Sequence, residues 1–455
     1  MAMKRPADDK PPSEACIGDN GWHAVLSAPA SFTRLEGSRT ADWLVIGAGY
    51  TGLAAARRLV ETVPGDRIMV LEALRVGDGP AGRSSGFMID LPHKLDSDSY
   101  TGSVEEDRRQ TDRNRLAIAF VQRVIDEDGL DPLIQYRTGK VNAAATEHGE
   151  TLLSAYRQHL DALAEPYETL DADDMSTLTG SHYYRHGILT PRSALLHPAA
   201  YLCDLAKVLS RHGVAIHENS PVRQFTEGPP HVVRTEHGRL TAPNVILAVN
   251  GAVTAFGHFK KRLMDVFTFA SLTRALTEDE TRALGGAPFW GVLPADPMGT
   301  TVRRISGPLY GGTRILVRNR FVLASKASAF EGRPIARIAR QQRDSFDNRY
   351  PALRHVPMDH VWGGRLCLSK NGATAFGEVA PGVFSAACQN GLGSVNGTLH
   401  GLLAADLATR RDCHGELIAD LAAADPPVRI PPEPVTRRVG NWIVGRRESR
   451  AGMER

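Results

Sequence analysis

The chain has 455 residues, 43 of them glycine, with 54 Lys+Arg against 51 Asp+Glu for a net charge of +3, and 42% hydrophobic residues. The length allows two large domains or three smaller ones. The composition is too apolar for disorder and lacks a collagen period. No apolar stretch reaches the ~18 residues of a membrane-spanning helix, and the near-balanced charge gives no electrostatic case for nucleic acid.

The five cysteines, Cys16, Cys203, Cys367, Cys388 and Cys413, are scattered, with no CxxC and no His/Cys cluster. They read as reduced thiols of a cytoplasmic protein, with no metal site and no disulfide framework. Residues 1–40 are polar and Pro-containing, lack the apolar core of a signal peptide, and are expected to form a surface extension. The strongest signal follows, from Asp42 to Glu61. Trp43–Ile46 is an apolar run expected as a buried parallel strand. Gly47, Gly49 and Gly52 form GxGxxG, followed by Tyr50, Thr51 and an Ala/Leu-rich helix. A second apolar run, Ile68–Leu71, ends in Glu72 and Ala73. Gly47 permits the turn out of the strand, Gly49 lets backbone approach a pyrophosphate, and Gly52 lets helix and sheet pack closely. The helix N-terminus meets the phosphates, and Glu72 accepts from ribose hydroxyls.

The loop Gly77–Gly86 (GDGPAGRSSG), otherwise a flexible crossover, favours FAD over NAD, with an NAD-linked dehydrogenase as the rival. Small residues let backbone approach a ring lying beyond the pyrophosphate, and the amides of Arg83, Ser84, Ser85 and Gly86 can point at its polar edge. Together, GAGYTGLAAARRL and VLEALRVGDGPAGRSSG resemble the amino-terminal signature of the D-amino-acid-oxidase superfamily, nearest its sarcosine oxidase and γ-glutamylputrescine oxidase branch. Two later segments extend the resemblance. The first is a helix opening at His197-Pro198, followed by GVAIHENSPV and Val245–Val249; the second is the strand Val383–Ala387 before CQNGLGS. The resemblance covers residues 42–409. It implies an α/β fold, α+β overall, in which a Rossmann-like FAD domain (41–100, 192–251 and 361–415) is interleaved with an antiparallel-sheet substrate domain (101–191 and 252–360). It further implies that Val222, Asn250 and Gly251, and the turn Gly391, Leu392, Gly393 and Ser394, touch FAD. Residues 416–455, rich in Pro and Arg, form a C-terminal extension. That extension reads as a solvated segment on the main body, or else as an oligomer contact or electrostatic anchor.

The second insertion is dense in arginine: Arg303, Arg304, Arg314, Arg318 and Arg320. Strand alternation puts Arg314, Arg318 and Arg320 on one face and separates Arg303 from Arg304. One or two of them are expected to clamp a substrate carboxylate bidentately, with Tyr310, Lys370 and Asn390 as further substrate contacts. The sarcosine-oxidase carboxylate lysine is replaced by Ser394-Val395, and an Arg after the flavin loop is missing, so His93 becomes a candidate for substrate contact or proton handling. The family's covalent Cys falls at Arg365, with Cys367 nearby, so non-covalent FAD is expected. Arg304 and Lys261 (or Lys260) are candidates for the positive charge that assists O2 reduction. The resemblance implies an FAD-dependent oxidase of an amine or N-substituted amino acid, and the density of arginine points to a small anionic one such as iminodiacetate. C–N oxidation by hydride transfer would be followed by imine hydrolysis and H2O2 formation. An amine dehydrogenase serving a quinone or protein acceptor, and a non-catalytic flavin-bearing subunit, remain as alternatives. The oligomeric state is left open.

Overall fold

The computed structural model describes residues 12–92 and 103–455. Four apolar residues, Trp43–Ile46, form a strand buried along its whole length, as a strand covered on both faces requires. It lies third in a six-stranded sheet ordered 215–217, 68–71, 43–46, 244–247, 383–387 and 375–380. The first five strands run parallel and the last is antiparallel. Helices Tyr50–Thr62 and Gly393–Ala408 cover one face and pack on each other. Small residues let them approach: a Cβ on Gly401 would sit 2.1 Å from the Thr51 carbonyl oxygen. His197 caps helix Pro198–Arg211 by accepting from the Ala200 N–H, and the helix buries Tyr201, Leu205, Val208 and Leu209 in the same core.

A nine-stranded sheet lies against this layer, ordered 16–18, 358–369, 263–273, 314–323, 301–305, 290–294, 140–144, 186–190 and 168–170. Every neighbouring pair in it is antiparallel except 290–294 with 140–144. The long strands Leu263–Thr273, Arg314–Leu323 and Met358–Ser369 face the dinucleotide sheet, and helix Arg333–Arg349 packs on the opposite side, against 263–273 and 314–323. One irregularity redirects side chains. Phe269 pairs with Asn319 but Thr268 pairs with Phe321, so Arg320 is an extra residue, at φ +68°. The bulge breaks the alternation expected for Arg318 and Arg320.

The described parts of both terminal regions are more ordered than their composition implies. Cys16–Gly18 is an edge strand on Trp362–Gly364, and Trp22 is fully buried. Residues 37–40 pair in parallel with 238–241 in a four-stranded side sheet. The Pro/Arg-rich tail, expected as a solvated segment, instead contains helix Glu433–Ala451 packed on strand 314–323. It ends in a turn where Glu454 accepts from the backbone N–H groups of Ala145 and Thr146, both at 2.9 Å.

Candidate functional site

The glycine turn does what its spacing predicts. Gly47 has φ +105°, and a Cβ there would lie 2.5 Å from the Ala248 carbonyl oxygen. A Cβ on Gly52 would lie 1.7 Å from the Gly47 carbonyl oxygen, so only glycine brings this helix so close to the strand end. No side chain caps helix Tyr50–Thr62, which leaves its first N–H groups directed at whatever lies beyond Gly49. Glu72 closes the second strand with its carboxylate fixed: Oε2 accepts from Ala48 N at 2.8 Å and Oε1 from Leu74 N at 2.9 Å. Burial holds its carboxyl above the usual carboxylate range.

These groups form one end of a cavity of about 380 Å³. The cavity starts between Glu72–Leu74 and Ser220–Arg223, Val222 included, and passes Gly47, Gly49, Tyr50 and Thr51. It continues past Asn250 and Gly251 to Arg83, Ser84, Ser85, Gly391 and Gly393. Thr268–Ala270, Arg318 and Gly364–Cys367 roof it. Gln389 also lines it, donating to Thr51 Oγ1 at 3.3 Å while its Oε1 is held 2.6 Å from His400 Nδ1. Leu392 and Ser394 stand behind the wall, where Leu392 packs against the apolar cluster of Phe87, Ile89, Leu195 and Leu293, and Ser394 Oγ donates to Phe87 O at 2.7 Å.

The loop 77–86 is held by its carbonyl groups. Asn20 Nδ2 donates to Gly77 O (2.9 Å) and Gly82 O (3.2 Å), Trp362 Nε1 to Arg83 O (3.0 Å), and Trp22 Nε1 to Ser84 O (2.7 Å). Arg303 Nη1 reaches Ser85 O (3.1 Å), Gly86 O (3.3 Å) and Leu196 O (2.6 Å). No acceptor among the described residues takes the N–H of Ser84 or Ser85. With the carbonyls engaged from outside, the loop can offer amide hydrogens to the cavity, the polarity an electron-accepting ring needs at its edge. Gly86, at φ +78°, belongs to this clamp: a Cβ there would lie 2.1 Å from Arg303 Nη1. The sequence assigns no site role to Asn20 or Trp22. The signal available was a lone tryptophan in a polar amino-terminal stretch.

The arginines divide between tasks. Arg318 lines the cavity, in cross-strand register with Ala270 and Thr301. Its guanidinium lies 4.5 Å over the Phe321 ring, and burial lowers its pKa to about 10. No carboxylate pairs with Arg318 among the described residues. Arg303 lies on the same face but outside the cavity wall, fully buried and 5.1 Å over the Trp22 ring, so its substrate role is replaced by the loop clamp. Arg304 points to the opposite face and donates to Gly285 O. Arg320, displaced by the bulge, pairs with Glu448 of the C-terminal helix. Tyr310 is buried beneath the sheet, donating to Leu133 O at 2.9 Å and stacked on His197. Lys261 and Lys370 are exposed and away from the cavity. Asn390 bridges a turn, accepting from Ser369 N at 2.9 Å and donating to Gly372 O at 2.8 Å. His93 lies outside the described residues. Asp265, a wall residue with no signal in the sequence, pairs at 3.6 Å with Arg365, the position at which the family's covalent Cys falls.

A parallel sheet with its glycine turn, an acid-ended second strand and a polarised loop under an antiparallel roof defines a dinucleotide-binding oxidoreductase. The described family "FAD dependent oxidoreductase" matches residues 42–407, and the chain belongs to it. The chain is 26% identical to "Probable oxidoreductase OrdL" of Rhizobium meliloti (89% of this chain, 91% of that protein). It is also 26% identical to "Gamma-glutamylputrescine oxidoreductase" of Escherichia coli (89% and 88%). Glycine oxidase from Geobacillus kaustophilus has a similar fold, with a TM-score of 0.69 at 19% identity, over 87% of this chain and 100% of that one. The protein is therefore an FAD-dependent enzyme. The cavity fits that cofactor: the glycine positions leave no room for a Cβ, the helix N-terminus is uncapped, and the N–H groups of Ser84 and Ser85 meet no acceptor among the described residues.

Proposed function

We propose that the enzyme oxidises the C–N bond of a small anionic amine or N-substituted amino acid. The observation that carries this reading is Arg318, a buried guanidinium in the cavity roof with no carboxylate partner among the described residues. FAD, when bound, supplies the two-electron acceptor, and O2 would reclaim the electrons as H2O2. Arg318 would hold a substrate carboxylate in a bidentate pair and so set which carbon faces the cavity. The same charge disfavours a second cation beside it, keeping the substrate amine unprotonated, the form that releases a hydride. The roof of Thr268–Ala270 limits water around the reacting carbon. The imine product then hydrolyses to an amine and a carbonyl compound. FAD is held without a covalent bond in this reading. Hydrogen bonding with Cys388 and burial hold the Cys367 thiol well above its usual range, which suppresses the nucleophilic thiolate.

The test is an anaerobic panel of N-substituted glycines, iminodiacetate, γ-glutamylputrescine (named in the Escherichia coli relative) and simple polyamines. Bleaching of the flavin absorbance by carboxylate-bearing amines, with H2O2 released once air is admitted, is expected. Oxidation of cationic polyamines alone would overturn the anionic-substrate reading. Bleaching without peroxide would replace the oxidase by a dehydrogenase serving another acceptor.

A further inference from the structure

Large apolar side chains that are exposed among the described residues all fall between positions 428 and 453. Four of them, Val435 (51%), Val439 (50%), Trp442 (60%) and Ile443 (43%), lie on helix Glu433–Ala451. The helix cannot turn this face inward. Asn441 accepts from Leu323 N at 2.8 Å and donates to Leu323 O at 2.9 Å, and Glu448 is bonded to Arg320. Gly440 packs so tightly that a Cβ there would lie 2.4 Å from Leu323 Cδ2. Positions 435, 438, 439, 442, 443 and 446 are all exposed and read Val, Arg, Val, Trp, Ile and Arg. The helix carries five arginines and two glutamates. Of the acids, Glu448 is tied inward and Glu433 pairs with Arg437 at 3.4 Å.

We propose that this face is an interfacial anchor for a membrane surface rich in anionic lipid. Trp442 and its aliphatic neighbours enter the headgroup boundary, and Arg438 and Arg446 meet the negative headgroups. The face has no acid, amide or hydroxyl at its six outward positions to fix a register against a folded partner, whereas an indole flanked by guanidinium groups suits the boundary between headgroups and acyl chains. A second copy of the chain fits poorly. An antiparallel two-fold contact centred on Trp442 would set position 438 of one copy beside position 446 of the other, arginine against arginine. No helix of the described residues is long and apolar enough to cross a membrane, so the attachment is peripheral.

The test mixes the full-length, FAD-loaded protein with vesicles of phosphatidylcholine alone and with phosphatidylcholine containing phosphatidylglycerol, following co-sedimentation and tryptophan emission. Trp22, Trp43, Trp290 and Trp362 are buried, so a change in emission reports on Trp442, the fifth tryptophan of the chain. Sedimentation with the anionic vesicles and emission moved to shorter wavelength are expected. Arg438→Glu with Arg446→Glu should cut partitioning by at least ~25-fold, about fivefold per arginine. Trp442→Ser should weaken binding and abolish the emission change, with the melting temperature of both variants unchanged. Equal or absent binding to the two vesicle types overturns the proposal. So does a solution dimer that Trp442→Ser dissolves, or saturable binding of an acidic protein domain to this face that anionic vesicles do not displace.

Discussion

Gly47 and Gly52 act through backbone alone, and what they do is fixed by how closely two elements approach. On the roofing sheet, Arg303 and Arg318 share one face and one chemistry, yet Arg303 fastens the loop 77–86 while Arg318 enters the cavity. The difference teaches where information resides. A close approach of backbone is written in spacing, because only glycine at that interval allows it. The task of a long charged side chain is decided by which groups stand opposite it, and those come from distant parts of the chain.

Five experiments would break or sharpen that contrast. The largest effect is expected at Gly52→Ala, where the added methyl must push the helix away from the Gly47 carbonyl. Misplacing several N–H groups worth about 1.5–3 kcal/mol each to a charged ligand should weaken FAD binding by ~100-fold or more. Titration of apoprotein with FAD measures this, and normal affinity would end the close-approach argument. Next comes Arg318→Met, expected to lower kcat/KM for a carboxylate-bearing amine by ~100-fold. The visible flavin spectrum should be unchanged, since the residue is assigned to substrate. A smaller loss confined to cofactor is expected of Arg303→Met, which leaves buried carbonyl groups of the loop without their donor. FAD affinity should fall ~10-fold, while KM of the reloaded enzyme stays within about twofold. A raised KM with normal FAD affinity would return Arg303 to the substrate.

Acid should act on two buried histidines, one facing the roofing sheet at Tyr310 and one beneath the cavity at Gln389. Burial, reinforced by Arg303, lowers His197 to about 3, and burial lowers His400 to about 4. Both are neutral in the native state, whereas the unfolded chain binds protons below about 6.5. Their contribution is therefore complete above about pH 6.5 and declines as pH falls toward 4. The melting temperature should drop over that window, and His400→Asn should flatten part of the slope. A melting temperature constant from pH 7 to 4.5 would contradict both assignments. The smallest effect belongs to Arg320→Met. Some stability is lost because Glu448 keeps a buried charge, but kcat/KM should stay within about twofold, and a tenfold loss would put Arg320 back in the site.

Residues 43–72 were legible almost to the residue: strands Trp43–Ile46 and Ile68–Leu71 have the bounds their apolar runs imply. Strand Val383–Ala387 was equally clear, since a run buried on both faces has no competing reading. In the roofing sheet, strand alternation was legible around Arg303–Arg304 and Arg314–Arg320, but the task of each side chain was not. A single bulge at Arg320 exchanges which residue faces the cavity, and nothing in RILVRNRFVL marks where the extra residue falls. Trp22 and Asn20 were illegible for another reason: their donors meet acceptors some sixty residues away, a pairing with no local period. Asp265 was missed likewise, as it meets Arg365 across two adjacent strands.

The strand Cys16–Gly18 has a consequence for how the enzyme acquires its cofactor. It is synthesised well before its partner strand, which contains Gly364, so it waits for that strand before it can dock. Until then Asn20 and Trp22 are not drawn over the loop 77–86, and FAD meets an open cradle. Once docked, the segment and the cofactor stabilise the same loop conformation, so each must tighten the other by the same factor. Bound FAD is therefore expected to shield the Cys16–Ala24 stretch from proteases, and trimming that stretch to weaken FAD binding.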